Sequence, residues 1–162
     1  MGEFTNTPSI FQLIGSATAT TSITITDTFY PLTIPTNTST AIAGNSVGLI
    51  GNNEFSLNEN GIFVFQWMMA CSGGANASYT ITLINTTEGL PVPHTELSFT
   101  TKGNGMWEVQ NMFLINNRST KYVNANTSFY TEKQNYQMNV KNNTGVANFD
   151  IENLNVIVYK IN

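Results

Sequence analysis

The chain offers few side chains that can do nucleophilic or acid–base chemistry. Its 162 residues include one histidine, His94, and one cysteine, Cys71. His94 lies in a proline-flanked segment, and no Gly-x-Ser-x-Gly turn accompanies it, so a serine–histidine–acid triad is not indicated. Cys71 ends an apolar run, which is typical of a small buried hydrophobic residue. We therefore predict no catalytic residue and a protein that is not an enzyme.

The acidic residues contain one weak candidate for a metal site. Among the ten carboxylates, only Asp150 and Glu152 are two positions apart. On a strand this spacing puts both side chains on one face, where carbonyl oxygens can help them to hold Ca²⁺. A solvated strand face explains the same pair more simply. We predict no resident metal and no cofactor, and keep Asp150 and Glu152 as the weak candidates.

Ligand contacts are expected on loops, where binding residues commonly lie above a rigid scaffold. Residues 36–45, 85–94 and 116–126 are rich in Asn, Thr and Pro and are predicted to be loops. The residues named as candidate contacts for a receptor or glycan are Asn37, Asn85, His94, Trp107 and Asn117. For Trp107 a place in the core is the alternative, because residues 106–115 form the second most apolar run of the chain.

The element that must position these loops is the longest apolar run, residues 55–71. After a turn-prone group at 58–61, aromatic side chains alternate at Phe63, Phe65 and Trp67. In a strand these rings share one face, and the other face is apolar except for Gln66. Such a strand is expected to be covered on both sides. One cover is the core, and the second is another layer of the chain or another subunit.

The remaining pattern predicts an all-β protein. Short β-prone segments recur every ~8–12 residues between turn signals, and no segment has a sustained helical period. We predict early strands over 10–14, ended by Gly15, and over 20–26, with Ile23 and Ile25 on one face, and a closing strand over 154–161. Residues 1–9 are predicted to be a flexible lead-in, with 1–4 a possible expression remnant, and residues 10–162 a single domain.

The spacing within residues 55–67 is similar to the signature of the globular head of the first complement component. The matching residues are Phe55, Gly61, Phe63, Phe65 and Trp67. The wider tumour necrosis factor-like jelly-roll superfamily shares the Gly-x-aromatic part. The resemblance implies a jelly-roll β-sandwich of about ten short antiparallel strands, with the closing strand beside the central one. It also implies a homotrimer.

Composition narrows the kind of partner. Charged residues make up 10% of the chain, against ~25% in ordinary domains, and the net charge is −4. The six basic residues are scattered, so no nucleic-acid partner is predicted. No run approaches the ~20 apolar residues of a membrane helix, so membrane insertion is not predicted either.

The signature is incomplete, since residues upstream of Phe55 and in the closing strand depart from the complement pattern. No collagen-like repeat precedes the domain. A chain rich in Asn and Thr and poor in charge resembles viral and phage surface proteins. The resemblance thus implies a trimeric fibre-head-like protein, on a virion surface or extracellular, that attaches to a host protein or glycan. Two alternatives stay open: a capsid or assembly subunit without a ligand, and a secreted or spore-surface complement-like binding module.

Overall fold

The computed structural model describes residues 9–35, 37–51, 53–103, 105–117, 120–122, 129–131 and 133–161. Within these ranges the chain forms β-strands and no helix, which confirms the predicted all-β class. The strands in chain order are β1 Ile10–Thr21, β2 Tyr30–Pro31, β3 Asn37–Ala43, β4 Val47–Ile50, β5 Glu54–Leu57, β6 Gly61–Gly73, β7 Ser78–Asn85, β8 Leu90–Pro91, β9 Leu97–Thr100, β10 Trp107–Asn117, β11 Thr120–Tyr122, β12 Phe129–Thr131, β13 Gln134–Asn142 and β14 Phe149–Lys160.

Two antiparallel sheets form a sandwich. The first sheet has the order β10-β6-β14-β1-β3. The second has the order β4-β5-β13-β7-β8, with β2 added beside β13 and β9 beside β7. The chain passes from the first sheet to the second between β6 and β7 and returns between β9 and β10, as in a jelly roll. The predicted jelly-roll sandwich is confirmed, with more strands than the predicted ten because two-residue strands and the β11–β12 hairpin add to the main set.

The central run is β6, which pairs with β10 on one side and β14 on the other. The closing strand therefore lies beside the central one, as the resemblance implied. Phe63, Phe65 and Trp67 all point into the core and are buried. Gly61 at the start of β6 has a φ of 151°, which residues with a Cβ rarely adopt. This explains why the signature requires glycine at that position.

The first predicted strand is longer than expected. Gly15 does not end it, because β1 continues to Thr21 after a β-bulge that shifts its pairing with β14 between Ser16 and Ala19. Gly15 is instead a point of close packing, since an added Cβ would lie 3.2 Å from Cβ of Pro35.

The predicted strand over 20–26 is wrong beyond Thr21, where the chain leaves the sheet. Strand alternation therefore fails, and Ile23 is 2% exposed while Ile25 is 59% exposed.

The prediction of a loop over 36–45 is also wrong for most of that segment. Residues 37–43 form β3, which pairs with β1 at the edge of the first sheet. The polar composition suggested a loop, but the solvated position of an edge strand tolerates Thr, Ser and Asn. Residue 36 lies outside the described residues, as do residues 1–8 of the predicted lead-in. Ser9, the last residue of that lead-in, is buried, and its Oγ accepts a hydrogen bond from the Ser46 amide at 3.0 Å.

Candidate functional site

The outer side of the first sheet carries several exposed apolar side chains, and we call it the apolar face. One row crosses four strands, with Leu114 opposite Val64, Val64 opposite Tyr159, and Tyr159 opposite Ile10. Its most exposed apolar side chains are Met112 (63%), Leu114 (62%), Ile14 (47%) and Met68 (46%). The described strands of the two sheets therefore leave these side chains of the face uncovered.

Charge is confined to one end of this face. Among the described side chains of the face, those charged at neutral pH are Glu108, opposite Ala70, and Asp150, opposite Ser72, with Glu152 in the bulge beside them. The middle rows contain apolar side chains, amides such as Gln66 and Gln12, and hydroxyls such as that of Thr40. Burying these rows would therefore require no ion to leave water, which removes the largest cost of burying a protein surface.

The outer side of the second sheet has the opposite character, because hydroxyls and amides cover it and bond to one another. Thr80 Oγ1 lies 2.7 Å from Ser98 Oγ, Thr82 Oγ1 lies 3.1 Å from Thr95 Oγ1, and Asn143 Nδ2 donates to Thr80 Oγ1 at 2.9 Å. These hydroxyls are themselves buried, since Thr80 is 4% exposed and Thr82 is 1% exposed, and their polar atoms bond to one another instead of to water. The outer side of the first sheet differs in exposing apolar side chains.

The weak metal candidates Asp150 and Glu152 both bond to threonine hydroxyls of β1. Pairing between β6 and β14 shifts between Ile151 and Asn153, so Glu152 occupies a bulge and the predicted alternation fails there. Asp150 accepts a hydrogen bond from Thr20 at 2.5 Å, and Glu152 accepts one from Thr18 at 2.7 Å. Among the described residues, no group of three or more His, Cys, Asp or Glu side chains comes together.

A groove of about 490 Å³ lies between the segment that follows β7 and the end of β10, and we call it the Asn85 groove. Polar and apolar residues both contribute to its lining: Asn85, Glu88, Asn116, Gln134 and Tyr136, and Leu90, Pro91, Val92, Pro93, Leu114 and Ile115. The groove therefore brings the predicted ligand loop at 85–94 next to the start of the predicted loop at 116–126.

A buried amide network forms the floor of this groove. Asn85 Nδ2 donates a short hydrogen bond to Gln134 Oε1. The Tyr136 hydroxyl lies 2.9 Å from Asn117 Oδ1 and 3.3 Å from Gln134 Oε1. Asn117 Nδ2 donates to the carbonyl of Glu59 at 2.7 Å. The network ties β7, β10 and β13 to the turn before β6, so it fixes the positions of the strands that meet at the groove.

Asn85 and Asn117 belong to strands and not to loops, since they end β7 and β10. Both side chains are buried and bond within the network, and Asn85 also lines the groove. No pattern in the sequence indicated their partners Gln134 and Tyr136, which join them through long-range pairing.

The other candidate contacts lie apart from the groove lining. His94 is exposed at a φ of 64°, and Asn37 belongs to β3, where it pairs with Gly15. Trp107 is half-buried and packs against the core, so the core alternative is correct, although its indole Nε1 has no hydrogen-bond partner. In the third predicted loop, 116–126, residues 118–119 and 123–126 lie outside the described residues, whereas 116–117 end β10 and 120–122 form β11, so the loop prediction is wrong for those residues.

Cys71 is fully buried on the core face of β6, as predicted. Burial raises the pKa of its thiol to about 12, so almost no thiolate is present at neutral pH.

Cys71 is therefore expected to resist alkylation while the protein is folded. At pH 8, iodoacetamide should label less than ~10% of the protein in the time that fully labels it in urea, because the thiolate is the reactive form. Intact-mass spectrometry measures the labelled fraction, and free cysteine in the same tube controls for reagent activity. Equal labelling rates with and without urea would contradict the buried position.

The chain matches no protein-family model, and no curated protein matches it either. In the described segments, no helix has the length and hydropathy to cross a membrane.

Proposed function

We propose that this protein is a structural subunit of a virus or phage surface, a tumour necrosis factor-like head that assembles into a homotrimer through the apolar face. The head then attaches the particle to a host receptor or glycan. The observation that carries the assembly is the apolar face itself, which exposes methionine and leucine and has charge only at one end. The trimer and the particle rest on the resemblance around Phe55–Trp67 and on the Asn- and Thr-rich, charge-poor composition.

The contrast between the two sheets supports assembly over simple solubility. On the second sheet, hydroxyls and amides bond to one another, whereas the middle of the apolar face exposes methionine and leucine side chains. Exposed apolar patches of this kind usually mark a protein–protein interface. In a trimer, the inner face of β6 fills the sandwich core and its outer face meets a neighbouring subunit.

Two alternatives fit the same apolar face. A capsid or assembly subunit without a ligand would use it for packing alone. A secreted or spore-surface complement-like module would use it for the same trimer in another setting. The three functions differ in what the exposed loops contact, so a ligand-binding measurement separates the first two.

Placing charge on the apolar face is expected to break the assembly. The parent should sediment at three times the 17.8 kDa chain mass at micromolar concentration. The double variant Met68→Glu, Met112→Glu should sediment as a monomer, because each buried carboxylate without a partner costs several kcal/mol. Sedimentation equilibrium measures the mass, and circular dichroism verifies the fold.

The control is Ile50→Glu, which adds one carboxylate, half the charge of the double variant, at an exposed apolar position on the second sheet. This variant should keep the mass of the parent. A monomeric or dimeric parent would overturn the trimer. A double variant that keeps the parent mass would overturn the use of the apolar face.

A further inference from the structure

We infer that the Asn85 groove is a binding site for an uncharged saccharide. This deepens the proposed attachment role and rests on it. The groove is built within one subunit, and two of its lining residues, Leu114 and Asn116, also lie at the edge of the apolar face. Its volume of about 490 Å³ lies in the range of ~300–1,000 Å³ that is usual for ligand sites. The segment after β7 presents the exposed residues Glu88, Leu90 and Pro91, and the end of β10 presents the exposed residues Leu114 and Asn116.

The walls of the groove are formed before a ligand arrives. The Glu88 amide donates to Asn85 Oδ1 at 3.1 Å, and the Gly89 amide donates to the Asn85 carbonyl at 2.8 Å. Further along, the Val92 amide donates to the Leu83 carbonyl at 2.9 Å. These bonds hold the segment against β7, and the buried network holds the floor. A ligand therefore would not have to order this loop, which removes a common cost of binding.

The polar groups suit hydroxyl ligands. A carboxylate accepts hydrogen bonds from two neighbouring hydroxyls, and an amide both donates and accepts. At the rim of the groove, Glu88 supplies a carboxylate and Asn116 supplies an amide. The aliphatic wall can pack against the C–H side of a sugar ring, as apolar side chains pack against any apolar surface. A mixed lining of this type fits a pyranose better than it fits a wholly apolar ligand.

Charge indicates which saccharides fit. No Lys, Arg or His belongs to the groove lining that the structure describes, and Glu88 gives it negative charge. The whole chain carries a net charge of −4. Sialylated, sulfated and phosphorylated glycans would therefore meet like charge and find no cation to pair with. The site is assigned to neutral hexose oligosaccharides.

A glycan array of glucose-, galactose- and mannose-terminated oligosaccharides, with sialylated and sulfated members included, tests the assignment. The parent should bind at least one neutral set with a Kd of about 1 mM or tighter. Glu88→Ala and Asn116→Ala should each weaken that binding about tenfold, because each removes a hydrogen bond to the sugar. Glu96→Ala, which removes an exposed carboxylate outside the groove, should bind as the parent does.

Each protein is also weighed by light scattering, so that assembly and binding are judged separately. If the parent is a monomer and binds neutral sugars through Glu88 and Asn116, the proposed binding site stands and the proposed trimer is wrong. Three results overturn the groove: no neutral glycan is bound up to millimolar concentration, only anionic glycans are bound, or the two groove variants bind as tightly as the parent.

Discussion

Replacing Phe65 with alanine is expected to lower the free energy of unfolding by about 3–5 kcal/mol. The Phe65 ring is fully buried, meets the Phe55 ring edge-on at 5.1 Å and stacks on the Phe113 ring at 5.3 Å. Phe55 belongs to the second sheet, so the substitution opens a cavity where the two sheets meet. Domains of this size have a total stability of ~5–15 kcal/mol, and the loss is a large part of it. Urea denaturation at fixed protein concentration measures the change.

The matched control is Phe29→Ala, the same substitution at a half-buried ring outside the core. The Phe29 ring lies under the Lys141 ammonium, which is 4.9 Å from the ring centroid. Its loss should cost about 1 kcal/mol or less, because little apolar area and one exposed cation–π contact are removed. Equal costs for the two variants would show that the signature segment is not the centre of the core.

The central strand was predictable because its signal is local. In a strand, aromatic residues at alternate positions all point to the same face, and the structure places Phe63, Phe65 and Trp67 together in the core. The preceding Gly61 is also explained locally, by its positive φ. The pairing of β6 with β14 was implied by the family resemblance, and no pattern within the two strands predicts it.

Other parts of the fold depend on partners that are distant in sequence. Gly15 looks like a strand end, but it is a glycine because Pro35 approaches it from another segment. The bulges near Ser16 and Glu152 are shifts in the pairing between strands. The alternation of apolar and polar side chains within one strand does not indicate such shifts. The polar β3 is a strand only because β1 presents a free edge to it.

The candidate site was predicted by region but not by residue. The segment 85–94 does form one wall of a groove, yet Asn85 faces inward. An asparagine in a polar loop and an asparagine in a buried network look alike in sequence. The distinction comes from Gln134 and Tyr136, which lie about fifty residues along the chain and reach Asn85 through the pairing of β13 with β7.

The same burial that hides Cys71 and Tyr136 from solvent gives the last prediction, which concerns alkaline pH. Raising the pH from 9 to 12 is expected to lower the free energy of unfolding by several kcal/mol. Burial raises the pKa of Tyr136 from 10.0 to about 12, with the Glu88 carboxylate adding to the effect, and burial raises the pKa of Cys71 from 9.0 to about 12. Both groups thus keep their protons in the folded state at pH values where the unfolded chain loses them.

The sign follows from proton linkage. Between pH 9 and 12 the unfolded state binds fewer protons than the folded state, so stability falls by ~1.4 kcal/mol per pH unit for each such group. The stabilisation that the protonated Tyr136 and Cys71 side chains contribute is complete below pH 9 and is lost as the pH rises toward 12. From the shifts in pKa, the loss is about 3 kcal/mol for Tyr136 and about 4 kcal/mol for Cys71.

Urea denaturation at several pH values and one protein concentration measures this loss, and two variants assign it. Cys71→Ala and Tyr136→Phe should each flatten the fall of stability between pH 9 and 12, because each removes one titrating group. Tyr136→Phe also removes the hydroxyl bonded to Asn117, which lowers stability by about 1–3 kcal/mol at every pH and leaves the slope as the diagnostic quantity. A parent whose stability stays constant over this range, or variants with the slope of the parent, would show that these two groups are not buried as the sandwich places them.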